Sequence, residues 1–228
     1  MSRPCIELIA AVGPRWELGL DGGMPWGRIK GDLALFARVT KGKAVIMGRK
    51  TWESLPDAYR PLKGRLNVVM TRRPTGQVFA DMPDGVFLSP SIEGVLRDVR
   101  GAFSGWTGSE APRGIVIIGG GDIYRAALAA DVVDVVHLSV IPRSDALLTA
   151  ETNLDSLWPH DVAFPPLHPR GWALTPNGSS PRFAVRCEAE EGAPHGWRYA
   201  QLVRNPLEPA LAQRSDGVPV FWGGGGGW

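Results

Sequence analysis

Asp32 is the only acidic residue between Met24 and Phe36. On a helix that begins near Gly31, Asp32 and Phe36 lie one turn apart, about 40° around the axis. Leu33 and Phe36 mark the predicted buried stripe of this helix. A carboxylate beside apolar walls is unfavourable unless a partner pairs with it, so we expect a ligand as that partner. The alternative is a first-turn acid that only interacts with the helix macrodipole.

Three consecutive glycines, Gly119–Gly121, follow the β-branched run 115–118 and precede a predicted helix. Glycine lets a backbone approach a pyrophosphate closely, and a helix N-terminus offers unpaired N–H groups. The spacing is not the Gly-x-Gly-x-x-Gly fingerprint of the Rossmann fold. The pattern indicates a phosphate-binding turn, and the alternative is a tight turn that needs glycine only for its conformation.

A second predicted strand-to-helix junction lies at Gly48 and is followed by Arg49 and Lys50. Arg72 and Arg73 follow the next predicted strand. Strand ends in a parallel sheet open onto one crevice, so we expect these cations to converge. That much positive charge suits a cofactor with a second phosphate on its adenosine ribose, as in NADPH. A solvated basic rim is the alternative.

The elements that position these residues alternate between strand and helix. The predicted strands are 6–12, 43–47, 66–71, 86–88, 114–118 and 132–141. One predicted helix begins near Gly31 and carries Asp32, and the others follow Gly48, Ser91 and Gly121. Segments 183–189 and 197–203 predict an antiparallel terminal hairpin at the sheet edge. Short links between such elements predict an α/β fold with a mainly parallel, doubly covered sheet.

Composition narrows the class of protein. The chain has 228 residues, 44% hydrophobic, with a formal net charge of +2, which argues against a nucleic-acid partner. No apolar run approaches the roughly 20 residues of a membrane span, and the N-terminus has no secretory pattern, so no membrane partner is expected. Neither Cys5 and Cys187 nor the four histidines have metal-ligand spacing. We therefore expect no metal site, a monomer and a cytoplasmic location.

Several motifs in order resemble those of the dihydrofolate reductase family, over roughly 6–205. They are Leu-Ile-Ala-Ala (8–11), Gly-Met-Pro-Trp (23–26), Asp-Leu-Ala-Leu-Phe (32–36), Val-Ile-Met-Gly-Arg-Lys-Thr-Trp-Glu-Ser-Leu (45–55), Arg-Pro-Leu-Lys-Gly-Arg (60–65), Val-Val-Met-Thr-Arg (68–72) and Ile-Gly-Gly-Gly-Asp-Ile-Tyr (118–124). The resemblance implies a single catalytic domain over 4–205, with a mainly parallel sheet of about eight strands and an antiparallel C-terminal strand. Residues 206–228 would be a flexible extension.

The resemblance also implies roles for individual residues. Asp32 would pair with the 2-amino group and N3 of a pterin, Ser139 would support that acid through water, and Arg65 would bind the α-carboxylate of the substrate's glutamate tail. The implied substrate-binding positions are Ile9, Ala10, Asp32, Leu33, Phe36, Leu55, Leu62, Arg65, Ile118, Tyr124 and Ser139. The implied NADPH-binding positions are Ala11, Leu18, Gly19, Gly48, Arg49, Lys50, Thr51, Thr71, Arg72, Arg73, Gly119, Gly120, Gly121, Asp122, Ile123 and Tyr124. The Gly119–Gly120 bond would be cis.

The implied reaction is hydride transfer from NADPH to C6 of dihydrofolate with protonation of N5. Asp32, Met24 and Trp26 are the implied catalytic residues, with a water beside Met24 as proton donor. The glycine-rich loop 13–24 resembles a mobile lid, and Ala150-Glu151-Thr152 is the nearest match to the family's Gly-Asp-Thr motif. Two other readings stay open: the NADPH-dependent reductase of riboflavin biosynthesis, and a cofactor-binding protein without turnover.

Overall fold

The computed structural model describes residues 5–13, 15–72, 86–96, 112–141, 160–165, 172–174, 186–188 and 197–204. Arg73, the 150–152 motif candidate and the 206–228 extension lie outside these residues.

Eleven described strands and three labelled helices follow one another along the chain. The strands are β1 (Ile6–Val12), β2 (Glu17–Gly19), β3 (Ala44–Gly48), β4 (Leu66–Met70), β5 (Val86–Ser89), β6 (Ile115–Gly119), β7 (Val135–Val140), β8 (Val162–Ala163), β9 (Trp172–Leu174), β10 (Arg186–Glu188) and β11 (Trp197–Arg204). The helices are α1 (Lys30–Thr40), α2 (Arg49–Ser54) and α3 (Gly121–Ala129), with a 3-10 turn at Asp57–Tyr59 and a helical stretch at 92–96.

Backbone contacts divide the chain into two compact units, and unit 1 comprises Met1–Ile9 and Leu33–Asp134. Its strands run in the order β1-β6-β3-β4-β5, and every pair is parallel. The central strands β3, β4 and β6 are buried along their whole length. Continuous apolar runs of this kind are typical of parallel strands covered on both faces. The carboxyl ends of β3 and β6 therefore lie side by side, with Met47 opposite Gly119.

Unit 2 comprises Ala10–Asp32 and Val135–Trp228. Here β11 pairs antiparallel with β7 over six residues, and both β9 and β10 pair antiparallel with β11. A separate two-stranded ladder joins β2 to β8. The predicted terminal hairpin is present as β10 and β11.

The predicted fold class is confirmed: a mainly parallel sheet flanked by helices, with antiparallel strands toward the C-terminus. Nine described strands take part in the main sheet ladders, close to the expected eight. The sequence did not reveal β2, β8 or β9, because strands of two or three residues are too short to show periodicity. The loop 13–24, expected to be irregular, contains β2.

The buried face of α1 differs from the prediction. Leu35 and Val39 are buried together with Asp32, whereas Leu33 and Phe36 are only partly buried. The helix is therefore rotated so that its core stripe runs through positions 32, 35 and 39, which also follow helical spacing. Leu33 and Phe36 keep part of their apolar surface accessible.

In the part of the chain that the structure describes, no helix combines the length and apolar character needed to cross a bilayer. The same residues contain no cluster of three or more histidine, cysteine, aspartate or glutamate side chains that could hold a metal ion.

Candidate active site

Asp32 lies in the first turn of α1, and its side chain is buried, with 8% relative exposure. Burial raises the pKa of the Asp32 carboxyl above its usual value, because desolvation disfavours the charged form. The Ser139 hydroxyl partly offsets this effect and lowers the pKa. No lysine or arginine among the described residues forms an ion pair with this carboxyl. The carboxylate is thus buried with no cationic partner among the residues that the structure describes.

Ser139 stands on β7, opposite Tyr199 of β11 in the ladder. Ser139 is fully buried, and its Oγ forms no direct hydrogen bond with any described residue. The hydroxyl is nevertheless close enough to Asp32 to influence its pKa. A bridging water would satisfy both groups, since a buried hydroxyl without any partner is costly.

The predicted lid is held at its base by contacts inside unit 2. Trp16, in the left-handed region with φ 69°, stacks on Phe164 with ring centroids 5.6 Å apart. The Phe164 amide donates to the Trp16 carbonyl over 2.8 Å. Beyond β2 the chain turns back through a bridge between Leu20 and Gly23. The segment that follows carries Met24, which is exposed, and Trp26, which is buried.

Asp161 contacts the middle of the predicted lid. Its amide donates to the Gly19 carbonyl over 2.9 Å, and its carboxylate accepts from the Asp21 amide over 3.3 Å. The motif candidate Ala150-Glu151-Thr152 lies outside the described residues, and among those described it is Asp161 that contacts this loop. The contact of Asp161 with the loop was not predicted, because His160 and Val162 flank this acid instead of glycine and threonine.

Two glycine junctions lie together in unit 1. Gly48 ends β3 and is the N-cap of α2, and Gly120 is the N-cap of α3; neither makes a side-chain cap hydrogen bond. A β-carbon on Gly48 would meet Ile123 at 3.0 Å, and one on Gly120 would meet Thr51 Oγ1 at 3.3 Å. A side chain at either position would therefore press on a neighbour, and the packing of these turns favours glycine. The Gly119–Gly120 bond is cis.

Tyr124 packs beneath the triple glycine. Its Oη donates to the carbonyl of Ile9 over 2.7 Å in a buried hydrogen bond. Its ring also lies 2.8 Å from where a β-carbon of Gly119 would stand. Tyr124 thus supports the glycine turn from below.

The predicted basic cluster is only partly available to a ligand. Arg49 forms an ion pair with Glu53 of the same helix, in which its Nη1 donates to both carboxylate oxygens over 2.6 and 2.7 Å. Lys50 and Arg72 are exposed, and Arg73 lies outside the described residues. Of the described members of this cluster, Lys50 and Arg72 are therefore the exposed ones, and Arg49 is partly buried and paired.

Arg65 is half-buried and held by neutral acceptors. Its Nε donates to Thr40 Oγ1 over 2.7 Å, and its Nη1 donates to the Lys63 carbonyl over 3.0 Å. The guanidinium lies over the Phe36 ring at 5.8 Å. Burial lowers the pKa of Arg65 from its usual value, because no described carboxylate compensates the desolvation.

The other predicted positions fall into three burial classes. In unit 1, Ile9, Leu62 and Ile118 are buried, Leu55, Thr51, Thr71 and Ile123 are partly buried, and Asp122 is exposed. In unit 2, Ala10 is buried, and Ala11, Leu18 and Gly19 are partly buried. Two buried polar residues that contact Arg65 or its loop, Thr40 and Asn67, were not predicted from the sequence. A threonine ending an apolar helix and an asparagine inside an apolar strand are the signals that could have revealed them.

The family model described as dihydrofolate reductase matches residues 5–181. The chain is 34% identical to a dihydrofolate reductase of Heliothis virescens over 68% of this chain and 83% of that protein. It is 37% identical to a dihydrofolate reductase of Mycobacterium leprae, over 54% of this chain and 65% of that protein. A bifunctional dihydrofolate reductase-thymidylate synthase of Glycine max is 36% identical, but the chain spans only 26% of its length.

The chain belongs to the dihydrofolate reductase family. It is accordingly an enzyme, an oxidoreductase of one-carbon metabolism, and the riboflavin-pathway alternative is not favoured.

Proposed function

We propose that this chain reduces 7,8-dihydrofolate to 5,6,7,8-tetrahydrofolate with NADPH, with individual residues in the roles given below. The observation that carries these roles is the buried carboxylate of Asp32, which has no cation among the described residues. A group of this kind is costly in the free protein and is satisfied by a ligand that offers paired N–H donors.

Asp32 binds the pterin ring in this proposal. The 2-amino group and N3 of a pterin present two parallel donors, which match the two oxygens of one carboxylate. Ser139 supports the acid from β7 through a bridging water, consistent with its buried and otherwise unused hydroxyl. Burial raises the pKa of Asp32 in the free protein. Hydrogen bonds from a bound pterin to the charged carboxylate would lower this pKa again.

The proton for N5 comes from water in this proposal. Asp32 holds the edge of the ring that is far from N5, so it polarises the ring instead of donating directly. Met24 has 39% relative exposure, and this supports a route for water beside it. The acid therefore assists protonation without being the immediate donor.

The junctions at Gly48 and Gly120 fit a nicotinamide dinucleotide. NADPH supplies a hydride from C4 of its nicotinamide ring when it is bound. The N-terminus of α3 has no side-chain cap and begins beside a glycine turn in which β-carbons would collide with neighbours. Such a helix start offers N–H donors to a pyrophosphate. Lys50 and Arg72 are exposed and available for the additional phosphate that distinguishes NADPH from NADH.

Arg65 binds the glutamate tail of the substrate. It is a partly buried guanidinium with no described carboxylate partner, and a planar fork of donors suits a carboxylate. The partly buried faces of Leu33 and Phe36 on α1 supply apolar contact for the aminobenzoyl group.

One assay tests the reaction. Oxidation of NADPH is followed by absorbance with and without dihydrofolate, and then with methotrexate added. Substrate-dependent oxidation that methotrexate abolishes supports the proposal. Absence of oxidation with dihydrofolate, in protein that gives a cooperative thermal transition, would contradict it.

A monomeric state and a cytoplasmic location remain predictions. Light scattering coupled to size-exclusion chromatography tests the first, and cell fractionation tests the second.

A further inference from the structure

Thr40 and Arg65 form a hydrogen bond in which Arg65 is the donor and the Thr40 hydroxyl is the acceptor. Thr40 Oγ1 donates its proton to the Phe36 carbonyl over 2.7 Å, so its lone pairs face the Arg65 Nε–H, which donates to it over 2.7 Å. Thr40 is fully buried at the last turn of α1. The hydroxyl therefore links the helix backbone to the guanidinium and has no rotational freedom left.

Three of the five N–H donors of Arg65 have described acceptors, and two remain available to a ligand. A guanidinium has five N–H groups. Thr40 takes the Nε–H, the Lys63 carbonyl takes one Nη1–H over 3.0 Å, and the Ala37 carbonyl lies 3.5 Å from Nη2. Among the described acceptors, this leaves one N–H on each Nη. One N–H donor on each Nη is enough to bind the two oxygens of a carboxylate.

Asn67 fixes the loop that carries Arg65. Its Nδ2 donates to the carbonyls of Leu62 and Arg65, each over 3.0 Å, and its Oδ1 accepts from the Leu62 amide over 3.0 Å. Asn67 is buried on β4. The backbone of Arg65 is thus held from the strand, while its side chain is held from α1.

We propose that Thr40 is a positioning residue that aims the Arg65 fork and thereby sets the affinity for the carboxylate-bearing tail of the substrate. This inference rests on the proposed function of Arg65. Thr40 does not touch the reacting ring in this scheme, so its effect is on tail binding and not on hydride transfer. Without the hydroxyl, Nε would lose its described acceptor, and the guanidinium would keep only the Nη1 bond to the Lys63 carbonyl and the long Nη2 contact with the Ala37 carbonyl, so its orientation would be less well defined.

The test uses Thr40→Val, which keeps the shape of the side chain and removes the hydroxyl. We expect the KM for dihydrofolate to rise about tenfold, because a hydrogen bond to a charged group is lost, with kcat unchanged. The KM for 6-methyl-7,8-dihydropterin, which has the reducible ring but no tail, stays constant. Thr40→Ser restores the hydroxyl and the dihydrofolate KM. Ser54→Ala is the matched control, since its hydroxyl also bonds a backbone carbonyl, over 2.8 Å, but does not contact Arg65.

A double-mutant cycle makes the role of Arg65 explicit. In an Arg65→Lys background, Thr40→Val should have no further effect on the KM for dihydrofolate, because a lysine has no Nε–H fork to aim. Equal losses with both substrates, a fall in kcat, or additive effects in the cycle would show that Thr40 acts only on the fold, and would overturn the inference.

A binding measurement separates this inference from the proposed reaction. Calorimetric titration with 4-aminobenzoylglutamate measures tail binding without turnover. If the wild-type protein lacks reductase activity, the proposed function fails, but a weaker Kd in Thr40→Val that Thr40→Ser restores still supports the positioning role. An unchanged Kd in Thr40→Val overturns it.

Discussion

The ring of Tyr124 occupies the space that a β-carbon on Gly119 would fill, at 2.8 Å, while its hydroxyl donates to the Ile9 carbonyl over 2.7 Å. One aromatic side chain thus connects α3 to β1 and supports the glycine turn that ends β6. Gly119 also has φ of 105°, which L-residues rarely adopt. The turn is therefore constrained by both backbone conformation and packing.

Gly119→Ala should lower the free energy of unfolding by about 2–4 kcal/mol, because the new methyl collides with Tyr124 and the backbone is strained. Thermal or urea unfolding measures the change. Gly114→Ala is the control, since its β-carbon would find its nearest neighbour at an ordinary 3.5 Å. Similar losses in both variants would contradict the packing role of Tyr124.

Asp32→Asn should lower kcat for dihydrofolate at least about a hundredfold, because the ring loses its charged partner. The affinity for NADPH should stay nearly unchanged, since the proposed cofactor residues lie elsewhere in the sequence. Steady-state kinetics and fluorescence titration with NADPH measure the two quantities. A parallel loss of both would exclude the proposed role at the pterin edge.

The same substitution should stabilise the free protein by about 1 kcal/mol near neutral pH, because a buried charge without a cation is removed. The pKa of Asp32 is raised in the folded state, so folded wild type holds its proton to a higher pH than the unfolded chain does. The free energy of unfolding of wild type therefore falls as the pH rises from the usual aspartate pKa to the raised pKa of Asp32. At still higher pH, Asp32 causes no further loss. Asp32→Asn lacks this loss.

The measurement is urea unfolding of both proteins at several pH values across that window. The stability difference in favour of Asp32→Asn should grow with pH and then level off. A difference that shrinks as pH rises would mean that the carboxylate is stabilised in the free protein.

Arg65→Ala should raise the KM for dihydrofolate about a hundredfold, since a charge-assisted pair to the tail is lost, and leave the KM for 6-methyl-7,8-dihydropterin unchanged. Arg113→Ala, which removes an exposed arginine, is the control. An unaltered KM for dihydrofolate in Arg65→Ala would mean that another residue binds the glutamate tail of the substrate.

Neutralising Lys50 and Arg72 together, as Lys50→Gln/Arg72→Gln, should weaken NADPH binding about tenfold or more and leave NADH binding nearly constant. The reason is that only NADPH carries the additional ribose phosphate that these exposed cations are proposed to meet. Equilibrium titrations at two salt concentrations measure the effect, and the NADPH advantage should fall as salt rises. Equal weakening with both cofactors would mean that these cations bind a group that NADPH and NADH have in common.

The sequence by itself determined the features that depend on neighbours along the chain. The apolar β-branched runs of β3 and β6, the glycines that follow them and the acid in the first turn of α1 are all local patterns, and each was predicted within a few residues. Periodicity and turn preferences depend on a few neighbouring residues, so they can be recognised in the sequence without knowledge of the fold.

Only the tertiary structure decided which residues meet across the chain. Thr40 and Arg65 are 25 positions apart, Asp21 and Asp161 are 140 apart, and His137 reaches Tyr199 over 62. The rotation of α1, which buries Leu35 and Val39 more than Leu33 and Phe36, is likewise set by the surface on which it packs. Such contacts depend on strand register and packing between elements, and no local preference encodes either of them.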